Sequence, residues 1–259
     1  MKIGVSSLFL IGKPFETVLD SIEKLDVSTW ELVDEDTLRL DKRRVQRLNQ
    51  QRKSLELNFA VHCPFADMNI ATLNTDLRKF LLKRLLKSIE YASLLEAKFW
   101  ICHPGWPNAL SHVHPGKDWI YNLETIEILS RKGEDLGTRV IVENMPNPFP
   151  FLMKTASDFN RFYSDFRGEA PDIAFDIGHA NTSSDRVIGF LDKWGHRIVH
   201  IHAHDNHGRS DEHNAVGHGT VNWQRIASKL SRLSYNGSVI IESIEKPYES
   251  LAKIRKLSA

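Results

Sequence analysis

Histidine and carboxylate side chains, rather than cysteines, carry the acid–base and metal-type chemistry of this sequence, and they recur at the ends of short apolar runs. VHCPF and ICHPG place His62 and His103 at such ends, and VIVENMP places Glu143 there. FDIGHAN contributes Asp176 with His179 just beyond, HIHAHDN contributes His202 followed by Asp205, and IIESIE contributes Glu242. Asp211 and His213 follow in DEHNAVGHG. A lone histidine in such a place is most often a hydrogen-bonded structural residue. A glutamate that closes an apolar run is harder to explain away, because an unpaired buried carboxylate is costly and implies a partner. If these ends meet in one pocket, a cation reconciles the carboxylates. The donors are nitrogen and oxygen without thiolate, which suits Zn, Mn, Co or Mg and excludes an iron–sulfur cluster.

The elements that must bring them together alternate from end to end. Strands are expected at Lys2–Ser6, Thr29–Val33, Leu55–His62, Lys98–His103, Arg139–Asn144, Asp172–Asp176, Arg197–His202 and Ser238–Glu242, each a near-continuous apolar run of the buried parallel type. Between them apolar residues recur at helical spacing. The clearest case is Asp76–Leu95, where Leu77, Phe80, Leu81, Leu85, Ile89, Ala92 and Leu95 form the stripe. Pro14 with Glu16, Thr155 with Asp158, and Asn222 before Trp223 read as helix starts. Gly133 and Gly137 flank the end of the fourth helix, and Gly195 follows the sixth. Eight strands alternating with eight helices imply a parallel sheet with helices outside. The count of eight, without a glycine-rich dinucleotide loop, favours an α/β fold of one domain over residues 1–259, a single (β/α)8 TIM barrel. In that architecture chemistry sits at the carboxyl ends of the strands, where the histidines and acids fall.

The bulk numbers agree. The 259 residues match the roughly 250 of one such barrel, and 41% apolar with 26% charged residues is a globular composition. A formal charge of +1 sets up no broad basic field, which argues against a dedicated nucleic-acid binder while leaving a local basic groove open. Two cysteines, Cys63 and Cys102, form no disulfide framework. Each adjoins a metal-type histidine, so strand alternation turns it away from the pocket and into the core. The opening MKIGVSSLFLIGKPF has no cleavable signal architecture, and no stretch approaches the ~18 apolar residues of a membrane span. A cytoplasmic location without membrane association is expected.

With these motifs in place, the whole chain resembles the xylose isomerase-like TIM barrel superfamily, which holds sugar phosphate isomerases and epimerases and the endonuclease IV enzymes of AP endonuclease family 2. The most specific stretch is HIHAHDNHGRSDEHNAVGHGTVNW followed by YNGSVIIE, which is similar to the family's H-x-x-D, D-x-H, G-x-G and strand-glutamate series. The resemblance implies a metal held by Glu143, Asp176, His202 and Glu242. It further implies that His62, His103, His179, Asp211 and His213 match the positions that complete a three-zinc cluster in the endonuclease branch. One to three divalent ions are therefore expected, zinc or manganese first, cobalt or magnesium next.

Departures qualify both branches. The glycine-rich His-Val-Ser opening of endonuclease IV is missing, the Asp205–Asp211 loop is short, and HPGWPN differs from the nuclease pattern. Ketohexose epimerases carry a Glu six residues past the first metal glutamate and an Arg six past the metal histidine. Phe149 and Gly208 stand there, with Arg209 one position off.

Two mechanisms fit one site. An isomerase or epimerase would bind a sugar or sugar phosphate through two oxygens, stabilise an enediolate on the metal, and pass a proton between Glu143 and Glu242 while His179 steers the substrate. The alternative is an AP endonuclease in which two or three zincs clamp a phosphodiester; nucleic acid is a partner only in that case. Phe65, Trp106, Asn144, Asp205 and Arg209 are the candidate substrate-binding residues, with Lys117 a further cation. His200 is expected one layer below His202, and Glu31 is an inward polar group on the second strand. His204, His207 and His218 are expected near the mouth, and His112, His114 and His196 in solvent. A homo-oligomer is compatible with all of this.

Overall fold

Parallel strands and helices follow one another along the chain in the computed structural model, which describes residues 1–183 and 186–258. The first half runs β1 (Lys2–Ser6), α1 (Glu16–Lys24), β2 (Thr29–Val33), α2 (Lys42–Ser54), β3 (Asn58–His62), α3 (Thr75–Leu94), β4 (Phe99–Cys102) and α4 (Lys117–Asp135). The second runs β5 (Arg139–Glu143), α5 (Ala156–Asp165), β6 (Ile173–Asp176), α6 (Ile177–Asn181), α7 (Arg186–Trp194), β7 (Ile198–Ala203), α8 (Trp223–Arg232), β8 (Ser238–Ile241) and α9 (Pro247–Ser258). Each strand pairs with the next, and β1 closes on β8 from Lys2↔Ser238 to Val5↔Ile241. The α/β reading as a single closed eight-stranded barrel is thus observed. No helix of the described residues is long and apolar enough to cross a membrane.

Strand alternation sorts the side chains. Trp30, Phe59, Trp100 and Phe175 point outward, fully buried, into the same core as Phe159, Phe162 and Phe190 of the surrounding helices. Cys63 and Cys102 belong to this outer core, as the alternation requires. Inside the barrel a much smaller apolar plug consists of Ala60, Phe99, Ile101, Ile141 and Ala174. With a side-chain period of two, the residues two positions after Ala60, Ile101, Ile141 and Ala174 are His62, His103, Glu143 and Asp176. The plug is therefore the floor on which the acids and histidines stand.

Two local devices keep this register. Gly4 on β1 faces the Thr29 carbonyl so closely that a Cβ would overlap it, so glycine lets the strands close. Between β6 and β7, Ile173 pairs with Ile198 but Ala174 pairs with His200. The extra residue, Val199, is a bulge that sets His200 and His202 level with Ala174 and Asp176; a one-residue slip would otherwise turn them outward.

The expected helix starts are present where side chains cap them. Thr155 and Asp158 form a reciprocal capping box, and Asn222 accepts from the Arg225 amide at 3.0 Å. Three details differ from the sequence reading. β3 begins at Asn58 rather than Leu55, because Glu56 takes a left-handed φ of 52° that ends the preceding turn. Leu77 and Phe80 are exposed, since the first turn of α3 overhangs the core that Leu81, Leu85, Ile89 and Ala92 enter. Nine α-helices rather than eight occur among the described residues, α6 being an additional short one capped by Asp176, whose Oδ1 accepts from the His179 amide at 2.6 Å.

Candidate metal centre

The carboxyl ends of β5, β6, β7 and β8 bring Glu143, Asp176, His202 and Glu242 together, with one donor atom of each within 4.8 Å of the others. His202 Nδ1 lies 2.9 Å from Glu143 Oε1, 3.4 Å from Glu242 Oε2 and 3.7 Å from Asp176 Oδ2. Its other nitrogen, Nε2, is 3.0 Å from Glu31 Oε2, and the same oxygen is 2.8 Å from His200 Nε2. The carboxylate of Glu31 thus holds the Nε2 proton of His202 and leaves Nδ1 free to donate a lone pair into the cluster. Metal-bound imidazoles are ordinarily oriented in this way.

The other histidines follow the same rule. A backbone carbonyl can only accept, so the nitrogen facing one carries the proton. His62 Nδ1 faces the Cys63 carbonyl at 3.0 Å, His179 Nδ1 the Asn144 carbonyl at 2.8 Å, and His213 Nδ1 the Glu242 carbonyl at 2.9 Å. Their Nε2 atoms point inward. Those of His62 and His103 lie 3.4 and 3.0 Å from Glu143 Oε2, and those of His179 and His213 lie 3.2 and 3.0 Å from Asp211 Oδ2. His213 reaches this position with φ of 48°, a region that favours glycine, and its carbonyl accepts from the Ile244 amide at 3.1 Å. Glu143 Oε2 and Asp211 Oδ1 are buried without a hydrogen-bond donor in suitable geometry. Oriented imidazole lone pairs, orphaned carboxylate oxygens and the absence of thiolate fit a divalent cation that takes nitrogen and oxygen donors.

The local electrostatics lead the same way. Burial pushes Glu242 up to about 7, with Glu31 and Glu143 adding to the rise against the pull of His202 and His213. Burial also opposes ionisation of Glu143, but His202 and His103 outweigh it and hold that carboxyl well below the usual range. Burial disfavours charge on His179 and His213, yet nearby Asp176 and Asp211 raise His179 to about 10, and Asp211 raises His213 to about 9. Protons on these imidazoles balance the carboxylates where no cation does so.

His204, expected only near the mouth, lies inside the barrel, fully buried, with Nε2 3.0 Å from the Asp176 carboxylate. Its ring stacks on His213 at 3.9 Å with 15° between the planes. Lone pairs in two nearly parallel planes do not meet on one ion, so His204 supports Asp176 and His213 rather than sharing a metal with His213. A Cβ on Gly178 would overlap the His204 ring, which gives the glycine of FDIGHAN its reason.

A cavity of about 510 Å3 opens above the cluster. His62, His103, Glu143, His179, Asp211, His213 and Glu242 line it, as do Phe65 and Trp106. Three other residues expected to meet substrate are outside its lining. Asn144 is buried and committed at both ends of its amide to the Asp176 backbone, at 2.8 and 3.0 Å, so it clasps β5 to β6. Asp205 is buried and accepts from the amides of Asn206, Gly217 and Val221 and from Trp223 Nε1 at 2.8 Å, so it organises the loop beyond β7. Arg209 is exposed on that loop, and Lys117 is exposed at the start of α4. His207 and His218 are also exposed, each 2.7 Å from a glutamate, Glu212 and Glu249 respectively. His112, His114 and His196 face solvent as expected. The sequence reading did not single out the apolar lining, which includes Leu8, Met145, Phe151 and Ile244. Met145, Phe151 and Ile244 sit in irregular segments and Leu8 in a single short 3-10 turn, where no periodicity marks them.

Residues 19–257 match the family described as xylose isomerase-like TIM barrel. An uncharacterized protein of Methanocaldococcus jannaschii is 32% identical, covering 94% of this chain and 84% of that one. Among solved structures, that of a D-tagatose 3-epimerase-like protein superposes with a TM-score of 0.91 at 30% identity, covering 99% of this chain and 97% of the other. Weaker similarity extends to relatives of different kinds. A D-psicose 3-epimerase of Ruminiclostridium cellulolyticum is 24% identical over 70% of this chain and 61% of its own. A probable endonuclease 4 of Aquifex aeolicus is 23% identical over 82% of this chain and 78% of its own.

Proposed function

The chain belongs to the xylose isomerase-like TIM barrel family, and from that premise we propose that it is a divalent-metal-dependent isomerase or epimerase of sugars or sugar phosphates. The observation that carries this reading is the pair of glutamates at the end of β5 and just beyond β8, Glu143 and Glu242, flanking His202 Nδ1 at 2.9 and 3.4 Å. Glu143, Asp176, His202 and Glu242 would hold the cation, which when bound would supply Lewis acidity toward a substrate carbonyl. Glu143 and Glu242 enter from different strands, so one removes a carbon-bound proton beside the carbonyl and the other returns it. Glu31 keeps His202 in the tautomer that directs Nδ1 inward, and His179, fixed by the Asn144 carbonyl, steers substrate oxygens. The plug beneath excludes water from the floor. Similarity to epimerases supports the reading.

The test is incorporation of solvent deuterium into a panel of ketoses and ketose phosphates by metal-loaded protein, followed by NMR, with metal content measured in parallel. Exchange that survives His213→Ala and disappears in Glu242→Gln is the expected result. A second reading, a two- or three-zinc AP endonuclease, draws on the convergence of all nine metal-type positions and on the similarity to a probable endonuclease 4. Efficient cutting of abasic duplex at physiological salt, lost in His213→Ala and without sugar exchange, would replace the first reading by the second.

A further inference from the structure

Polar groups are concentrated at one end of the cavity above the cluster. The deep end holds the histidines and acids, whereas the remaining lining is apolar, led by Phe65, Trp106, Phe149, Phe151, Met145 and Ile244. Trp106 and Phe151 meet edge to face at 5.4 Å, and Phe149 extends this wall at 6.2 Å from Phe151. Phe149 is 58% exposed and Ile244 47%, so apolar surface faces the opening with none of the described residues covering it. None of the described residues lining the cavity is lysine or arginine. Lys154 is occupied behind the wall, its Nζ donating to Asn147 Oδ1 at 2.9 Å and to the Phe149 carbonyl at 3.2 Å.

We infer that, within the class of sugars and sugar phosphates, the substrate is an uncharged ketose derivative, a hydroxy ketone at its reacting end, whose remote end carries an apolar group, alkyl or aryl, in place of a phosphate. This rests on the isomerase reading for the identity of the reacting end only. A hydroxy-carbonyl at the cluster leaves the rest of the molecule against Trp106, Phe149 and Phe151. A phosphate there would lose its hydration without a guanidinium or ammonium partner. A string of hydroxyls would lose hydrogen bonds to water that the wall does not replace. An apolar group instead removes its own surface and that of the wall from water. At about 510 Å3 the cavity is in the range of small-molecule sites.

Three probes share the hydroxy ketone and differ beyond it: hydroxyacetone, 2-hydroxyacetophenone and dihydroxyacetone phosphate. Binding to metal-loaded protein is measured by calorimetry, and exchange of the carbon-bound protons with deuterium by NMR. The phenyl compound is expected to bind at least about tenfold more tightly than hydroxyacetone, as burial of a ring implies. The phosphate is expected to bind no more tightly than hydroxyacetone. Phe149→Glu should remove most of the advantage of the phenyl compound over hydroxyacetone measured on the same variant, and Phe151→Ala should reduce it. Tightest binding by the phosphate, or an equal affinity for phenyl and methyl, would overturn the inference. The phenyl preference without deuterium exchange in any probe would sustain the apolar subsite and remove the isomerase reading. Exchange accompanied by phosphate preference would do the reverse.

Discussion

Neighbouring residues of a single strand meet opposite surroundings across the barrel wall. On β4, Trp100 points outward, fully buried, its Nε1 donating to Ser88 Oγ at 3.0 Å. Ile101 points inward to the plug, and His103, two positions further, lines the cavity. The outer core joins every layer of the molecule through large side chains, whereas the inner plug has five buried residues. Stability and chemistry are therefore assigned to alternate positions. Titratable groups can crowd the inner upper layer because the outer interface supplies most of the apolar burial.

That division can be broken or sharpened by substitution on either side. The largest expected effect is on Glu242→Gln, which should lower deuterium exchange by about 10²–10⁴-fold, the usual contribution of a positioned acid or base. Its metal-free thermal midpoint should move far less than that of the next variant. Phe159→Ala, on the helix side, should lower unfolding free energy by about 3–5 kcal/mol in denaturant titration, with exchange per folded molecule retained. Inner substitutions that unfold the protein while outer ones abolish exchange would refute the separation.

Glu31→Gln removes the carboxylate that holds the His202 proton, and metal affinity measured with a competing chelator should fall about 10–100-fold. Acidity probes the same layer. Burial raises Glu242 to about 7 in the metal-free protein. Burial also opposes charge on His202, but Glu242, Glu31 and Glu143 outweigh it and hold its proton well above the usual imidazole range. A cation must therefore displace the His202 proton and, below about pH 7, that of Glu242 as well. Apparent affinity should weaken as pH falls, and by a further factor of about tenfold per unit below about pH 7, with proton release on loading measurable in weak buffer. His179 at about 10 and His213 at about 9 should add to that release if a further cation enters beside Asp211. The smallest effect belongs to Phe80→Ser on the overhanging turn of α3, within about 0.5 kcal/mol by thermal melting. A larger loss would mean that this turn is covered.

Most of the fold was legible because strand and helix periods are local properties. The eight strands appear close to their expected limits, and Thr155 and Asn222 cap helices where the sequence marks them. The nine metal-type positions were legible in type because acids and histidines at the ends of apolar runs are conspicuous. The errors lie where local pattern stops carrying information. Leu77 and Phe80 share the apolar character of their helix, but only the length of the barrel decides that the first turn overhangs it. Asn144 and Asp205 are polar residues beside ligand candidates, yet one clasps two strands and the other ties a loop.

By itself the sequence determined the alternation of elements, the parity that turns Trp100 outward and Ile101 inward, and the acids and histidines available at the strand ends. Tertiary structure decided which of those groups meet and how they are oriented. Glu31 lies 171 residues from the histidine it orients, the Val199 bulge depends on pairing with β6, and the ring of His204 fits only over Gly178. Each of these depends on contact between segments distant in the chain. Such contacts exist only once the barrel has closed, when excluded volume and directed hydrogen bonds select one arrangement from the many that the local pattern allows.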